Sequence, residues 1–418
     1  MKKLGITNTP DKRFGKLIHH CCVFLLCSAF SLNAFADNHV PVRDQLKRIH
    51  DRITGTAPSN ATLTYMEGRY SGAGGGDAGL VAAAMSIMDI DPLDVPGSAA
   101  RSKNFYNVTL KNLAAPWTNE EQTVFTRLND YSAMVIGMVA NNKDFRELLY
   151  APYYYIGNGV PGIPAPAATN NEHYIQLEKS DATLSTALAE TTQPMGSAAA
   201  GIMTTRAAAR AFFVDGTNRA MFRFTMLNHL CYDLEQIKDN TRPSDRIRQD
   251  VSRSPGGDSR LYMNACQSCH AGMDPMAQAF AYYQWEYPEG GDADVGQLVH
   301  TPGAVQPKYL INSSNFRDGY ATTNDAWENR WRQGRNGWLG FNGPDNGRGT
   351  GAASLGRELA HSSAFARCQV KKVFKTVCLR NPDNDDSAAF DGIVTAFQGS
   401  GYNLKNAFAE SAAYCSGN

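Results

Sequence analysis

The chain has little with which to bind nucleic acid and little with which to cross a membrane. Its 418 residues set 40 Lys and Arg against 40 Asp and Glu, so no cationic excess exists to release counterions from a phosphate backbone. Beyond residue 36 there is no long apolar run, and a membrane span takes about 20 consecutive apolar residues. Repeats and low-complexity tracts are absent. With 43% apolar and 19% charged residues, the composition is not that of a disordered, collagen-like or coiled-coil chain. No methionine follows Met276, and one C-x-x-C motif stands alone, without a second.

The first apolar run sets the expected compartment. Residues 1–20 carry five cations (Lys2, Lys3, Lys12, Arg13, Lys16) against Asp11, and Cys21–Leu32 is apolar but for Ser28 and Ser31. With Ala34-Phe35-Ala36 behind it, this reads as a secretory signal peptide cleaved after Ala36. A periplasmic or secreted protein is expected, with 35 cations, 39 anions and a net charge of −4.

Six cysteines remain beyond that segment: Cys231, Cys266, Cys269, Cys368, Cys378 and Cys415. Setting aside the close pair Cys266/Cys269, four are left, enough for two disulfides in an oxidising compartment. Residues 365–379 read as one helix, with Val370, Val373, Phe374 and Val377 on one face. Ten helical residues put Cys368 about 15 Å from Cys378, while a disulfide needs Cα atoms within about 7 Å. These two should therefore pair with Cys231 and Cys415, in an order the sequence leaves open.

The expected fold class is mainly α, with long loops. Three segments are expected: the signal peptide at 1–36, a helical N-terminal region of unknown role at 37–214, and a C-terminal domain at 215–418. Thr118-Asn119-Glu120-Glu121 has the form of a capping box. It would open a helix with Val124, Leu128, Tyr131, Val135 and Met138 as its inner stripe. Further helices are expected near 143–150, 204–213 and 217–238. Residues 160–166 read as a proline-rich loop, and 284–350 as mainly loop with a short hairpin around Tyr309–Ile311. Gly74, Gly76 and Gly79 match G-x-G-x-x-G, but no strand precedes them, so a turn before a helix is the better reading. Tyr150, Tyr153, Tyr154 and Tyr155 are read as packing a loop onto the core.

Cys266-Gln267-Ser268-Cys269-His270 is C-x-x-C-H, the attachment sequence for c-type haem. Two thiols one helical turn apart can add to the two vinyl groups of one porphyrin edge, and the next histidine can ligate the iron. The expectation is one covalent haem c, with Cys266 and Cys269 as attachment points and His270 as axial iron ligand. A zinc site would want four ligands where one knuckle stands. A thioredoxin-like site would want a strand-to-helix context, where this motif ends a helical stretch at 260–265. Ala271-Gly272 is expected to break that helix, with Asp274 and Pro275 as cap and first residue of the next. The sixth iron ligand is left open among His300, His361, His229, His173, Met226, Met263 or none.

The segment from Cys266 to Pro275, with Phe365-Ala366-Arg367-Cys368 and Leu379-Arg380, resembles the cytochrome c-like C-terminal regions of large, secreted, planctomycete-type bacterial proteins. The resemblance covers roughly residues 215–382. It implies a single covalent haem held by Cys266, Cys269 and His270 in a mainly helical domain, and it implies no reaction. The leading expectation is thus a mono-haem electron-transfer protein, with a redox partner the sequence does not identify. The alternatives are a haem oxidoreductase with an open iron position and a partner-binding protein with a structural haem. No catalytic residue stands out.

Overall fold

Apolar residues at helical spacing build the outer end of the molecule. Leu46, Ile49 and Ile53 bury one face of α1 (Val42–Thr54), and Gly55, at φ 72°, ends it in the left-handed region. The structure, a computed structural model, describes residues 40–88, 103–214 and 216–417. The expected signal peptide lies outside the described residues. Helix α2 (Asn60–Gly72) is capped by Ser59, which accepts from the Thr62 amide at 3.1 Å. Helix α3 (Gly76–Met88) follows a turn in which Gly74, Gly75 and Gly76 all have positive φ. The glycine motif is that turn, and the Tyr70 hydroxyl accepts from the Gly76 amide at 3.0 Å.

Helix α4 (Asp130–Ala140) is buried along its whole length. Its cap is Asn129 with Ser132, eleven residues after the cap expected at Thr118. The reason is local competition: the Asn119 side chain accepts from the Thr123 amide and donates to the Ala115 carbonyl, which holds 119–123 in a turn. Val124 and Phe125 are accordingly exposed, not core.

Strands β1 (Tyr153–Gly157) and β2 (Leu188–Thr192) pair antiparallel, Tyr155 opposite Glu190. Between them lie the proline-rich loop and α5 (Glu172–Lys179). His173 anchors that loop, its Nε2 accepting from the Gly157 amide at 2.8 Å and its Nδ1 meeting the Pro164 carbonyl at 2.6 Å. Helices α6 (Arg206–Phe212) and α7 (Arg219–Thr225) follow. A π-helical turn, Met226–Leu230, is then stopped by Cys231 in the left-handed region, so the helix expected to run to 238 ends eight residues sooner.

Helix α8 (Gln267–Ala277) carries the cysteine motif. After it, β3 (Tyr283–Glu286) pairs with β4 (Gln297–His300), and β5 (Ala326–Glu328) with β6 (Arg348–Thr350). Tyr309 stands in a 3-10 turn, Pro307–Leu310, and not in a hairpin. The chain closes with α9 (Gly351–Ala360), α10 (Ser363–Cys378), α11 (Ser387–Gly399) and α12 (Leu404–Ser416). Helix α12 lies among α1, α3, α10 and α11, so the N-terminal helices pack directly on the C-terminal one. Val40–Asn418 groups as one body. The disulfide order is fixed as Cys231–Cys368 and Cys378–Cys415, both using α10 as the helix argument requires. The chain is mainly helical, and no described helix is long and apolar enough to cross a membrane.

Candidate functional site

Helix α8 continues a helical run that begins at Ser259, where Asp258 caps it by accepting from the Arg260 amide at 2.8 Å. Tyr262–Cys266 is a π-helical turn, a distortion that often marks functional positions. Contrary to expectation, Ala271-Gly272 does not break the helix, and Asp274 and Pro275 are inside it. Gly272 is required there for contact: a Cβ at this position would come 2.1 Å from Nε1 of the buried Trp331.

One uninterrupted helix places Cys266, His270 and Asp274 at i, i+4 and i+8, which is one face. Cys266 and Cys269 are the free cysteines of the described chain, both half-buried. The Cys266 side packs against Ile247, Val251, Tyr262 and Ala271. The Cys269 thiol points to the Leu234 carbonyl at 3.7 Å, and the Asp239 amide donates to the Ser268 carbonyl at 2.8 Å, so the segment from 234 to 239 lies over this turn. Burial, and after it the charge of Glu235, push the Cys269 thiol up.

Below the thiols stands a charged cluster. His270 Nδ1 is 3.0 Å from Oδ1 of Asp274, whose side chain is wholly buried. Arg219 grips Asp274 at 2.7 and 3.0 Å and Asp250 at 2.7 and 3.0 Å. Burial alone would raise the Asp274 carboxyl, but Arg219 and then His270 hold it well below its ordinary value. Burial works against the Arg219 charge too, and the two carboxylates more than reverse that effect. Arg248, also buried, stacks on the Tyr309 ring at 4.6 Å and donates to the Thr217 hydroxyl at 2.5 Å. The contact with Asp274 occupies Nδ1 and fixes the orientation of the imidazole ring.

This arrangement corrects the haem assignment and the cytochrome c-like domain that went with it. Among the described residues, no group of three or more His, Cys, Asp or Glu side chains is placed to hold a metal ion. Four of the six cysteines are engaged in internal disulfides, and the thiols of Cys266 and Cys269 lie against polypeptide. The iron, electron-transfer and haem-oxidoreductase readings fall with it, as does that of a structural haem.

The histidines named as second ligands have other partners. His229 is fully buried, its Nε2 2.6 Å from the Tyr131 hydroxyl. His300 packs on Tyr283 with ring centroids 4.6 Å apart, and His361 Nδ1 meets the Arg357 carbonyl at 2.8 Å. Met226 is in the core, while Met263 is exposed.

The sequence reading found Cys266, Cys269 and His270 but missed the partners beneath them. Asp274 was legible as the i+4 neighbour of His270 once the helix was allowed to continue. Arg219, Arg248 and Asp250 come from distant segments and carry no local signal. Compared with known proteins, the chain matches no family model, no curated protein and no solved structure.

Proposed function

We propose that Cys266 and Cys269 form a reversible dithiol–disulfide site acting on polypeptide disulfides outside the cytoplasm. The observation that carries this reading is the pairing of the two free thiols, one helical turn apart, with a His270–Asp274 couple on the same helix face. The two internal disulfides support an oxidising compartment. Cys266 shares the His270 face and is the attacking thiol, and Cys269, pushed up by burial, is the resolving one.

The exchange balances as follows. His270 Nε2 takes the Cys266 proton, and the thiolate sulfur bonds to one sulfur of the substrate disulfide, whose S–S bond breaks. The departing substrate sulfur takes the proton back from His270. Cys269 then bonds to the Cys266 sulfur, and the second substrate sulfur leaves with the Cys269 proton. One substrate disulfide becomes two thiols, and Cys266–Cys269 becomes a disulfide. Asp274, clamped by Arg219, holds the imidazole in the orientation this needs.

Alkylation followed by intact mass tests the reading. With the native protein equilibrated in mild reductant, two thiols should be blocked at Cys266 and Cys269, and none after equilibration with oxidised glutathione. The His270→Ala variant should slow Cys266 alkylation at neutral pH by about 10- to 100-fold. A mass on these cysteines beyond two thiols or one disulfide would overturn the reading, as would a rate indifferent to His270.

A further inference from the structure

Beside the first cysteine of the pair runs a groove of about 600 Å³. One wall is the helical turn that carries Cys266, through Tyr262, Met263 and Gln267. The other wall includes Phe316, Asp318 and Gly319. Backbone hydrogen bonds lay that segment along 247–249: the Phe316 amide donates to the Gln249 carbonyl at 3.0 Å, and the Tyr320 amide to the Ile247 carbonyl at 2.9 Å. Ile247 and Tyr262 belong both to the groove and to the cluster on which Cys266 packs. A chain lying in the groove therefore passes beside that cysteine.

The groove offers apolar surface and a charge of one sign. Met263 is 53% exposed, and a surface methionine adapts its shape to different side chains. The Arg253 guanidinium lies over the Phe316 and Tyr262 rings, 4.4 and 4.8 Å from their centroids. It also donates to the Val251 and Ile247 carbonyls at 2.7 and 3.1 Å, so this cation is turned to the fold. The other charged residues lining the groove are acids, Asp245 and Asp318, both exposed. Asp245 is paired with Arg330 at 2.6 Å. Asp318 makes no ion pair among the described residues, and it is the charge left for a cation to meet.

We propose that the groove binds the polypeptide flanking a substrate disulfide, as an extended segment with an apolar residue against Met263 and a lysine or arginine beside Asp318. The proposal rests on the dithiol reading and names its substrate class: basic, apolar peptide disulfides in preference to acidic, polar ones.

The test is the rate at which three disulfides oxidise the Cys266–Cys269 pair of the reduced full chain. They are 2-hydroxyethyl disulfide and the disulfide-linked dimers of acetyl-Leu-Cys-Lys-amide and acetyl-Ser-Cys-Glu-amide. Each rate is divided by that of the same disulfide with dithiothreitol, which removes its intrinsic reactivity. The Leu/Lys peptide should then outrun the Ser/Glu peptide about tenfold. Asp318→Asn should lower that ratio about threefold and Met263→Ser by a similar factor, with the 2-hydroxyethyl disulfide rate unchanged in both variants. Equal corrected rates for the two peptides, or a ratio indifferent to both substitutions, would overturn the groove assignment and leave the dithiol reading standing. No oxidation by 2-hydroxyethyl disulfide would instead overturn the dithiol reading, and the groove assignment with it.

Discussion

Around α12 the buried side chains are mainly apolar: Leu404, Ala407, Phe408 and Ala412 are at most 2% exposed, and Phe408 meets Phe105 edge-on at 5.0 Å. Around α8 the buried set includes Asp274, Arg248 and Gln278, with Arg219 and Asp250 completing the cluster. Helix α12 is fixed by area removed from water and by the Cys378–Cys415 bridge. Helix α8 is fixed by charges that must stay matched. An apolar core degrades gradually as methylene groups are removed, whereas a buried charge cluster fails when one member leaves.

The sharpest break in that comparison is Arg219→Met. It keeps the volume but strands Asp274 and Asp250, and the expected cost is about 3–5 kcal/mol. Urea unfolding should show a lower midpoint, and adding Asp274→Leu should restore most of it. A single-variant loss below about 1 kcal/mol would mean that the cluster is solvated.

How much of this was legible divides along the same line. Helix α10 could be read because Val370, Val373, Phe374 and Val377 mark its face, and its length then excluded a Cys368–Cys378 bridge. Which of Cys231 and Cys415 each one meets depends on how distant helices pack, and no local pattern encodes that. At α8 the local pattern misled. Asp274-Pro275 is a good cap and first residue, yet Asp274 is held inside the helix by Arg219, 55 residues earlier. The thiol pair was visible, and its chemistry was assigned to haem because the surrounding contacts of Cys266 and Cys269 cannot be read from spacing.

Acid separates the two regions next. His229, beside Tyr131 and Trp117, is held neutral: burial, then Lys372, lower it from 6.5 to about 3. Below pH 6.5 the unfolded chain takes a proton that the folded chain refuses. Stability is thus full above 6.5 and falls toward 3, by roughly 3 kcal/mol at pH 4. Asp274, held well below its ordinary value, contributes stability above about pH 4 and loses it only at lower pH. Unfolding free energies between pH 4 and 6.5 should therefore slope in the native protein and flatten in His229→Gln. An unchanged slope would assign the acid sensitivity elsewhere.

The smallest effects distinguish two helical glycines that look alike in sequence. Gly68, on the exposed face of α2, would place a Cβ with nothing within 4 Å. Gly68→Ala should stabilise the protein by about 0.5–1 kcal/mol, because alanine loses less backbone entropy in a helix. Gly272 in α8 faces Trp331, whose indole would meet that Cβ at 2.1 Å. Trp331 is fully buried and packs against Phe222 with ring centroids 6.0 Å apart, so Gly272→Ala should cost about 1–3 kcal/mol. Thermal unfolding of the two variants should shift in opposite directions. If both shift upward, the helix–indole contact is loose, and the rigidity assigned to α8 rests on its ion pairs alone.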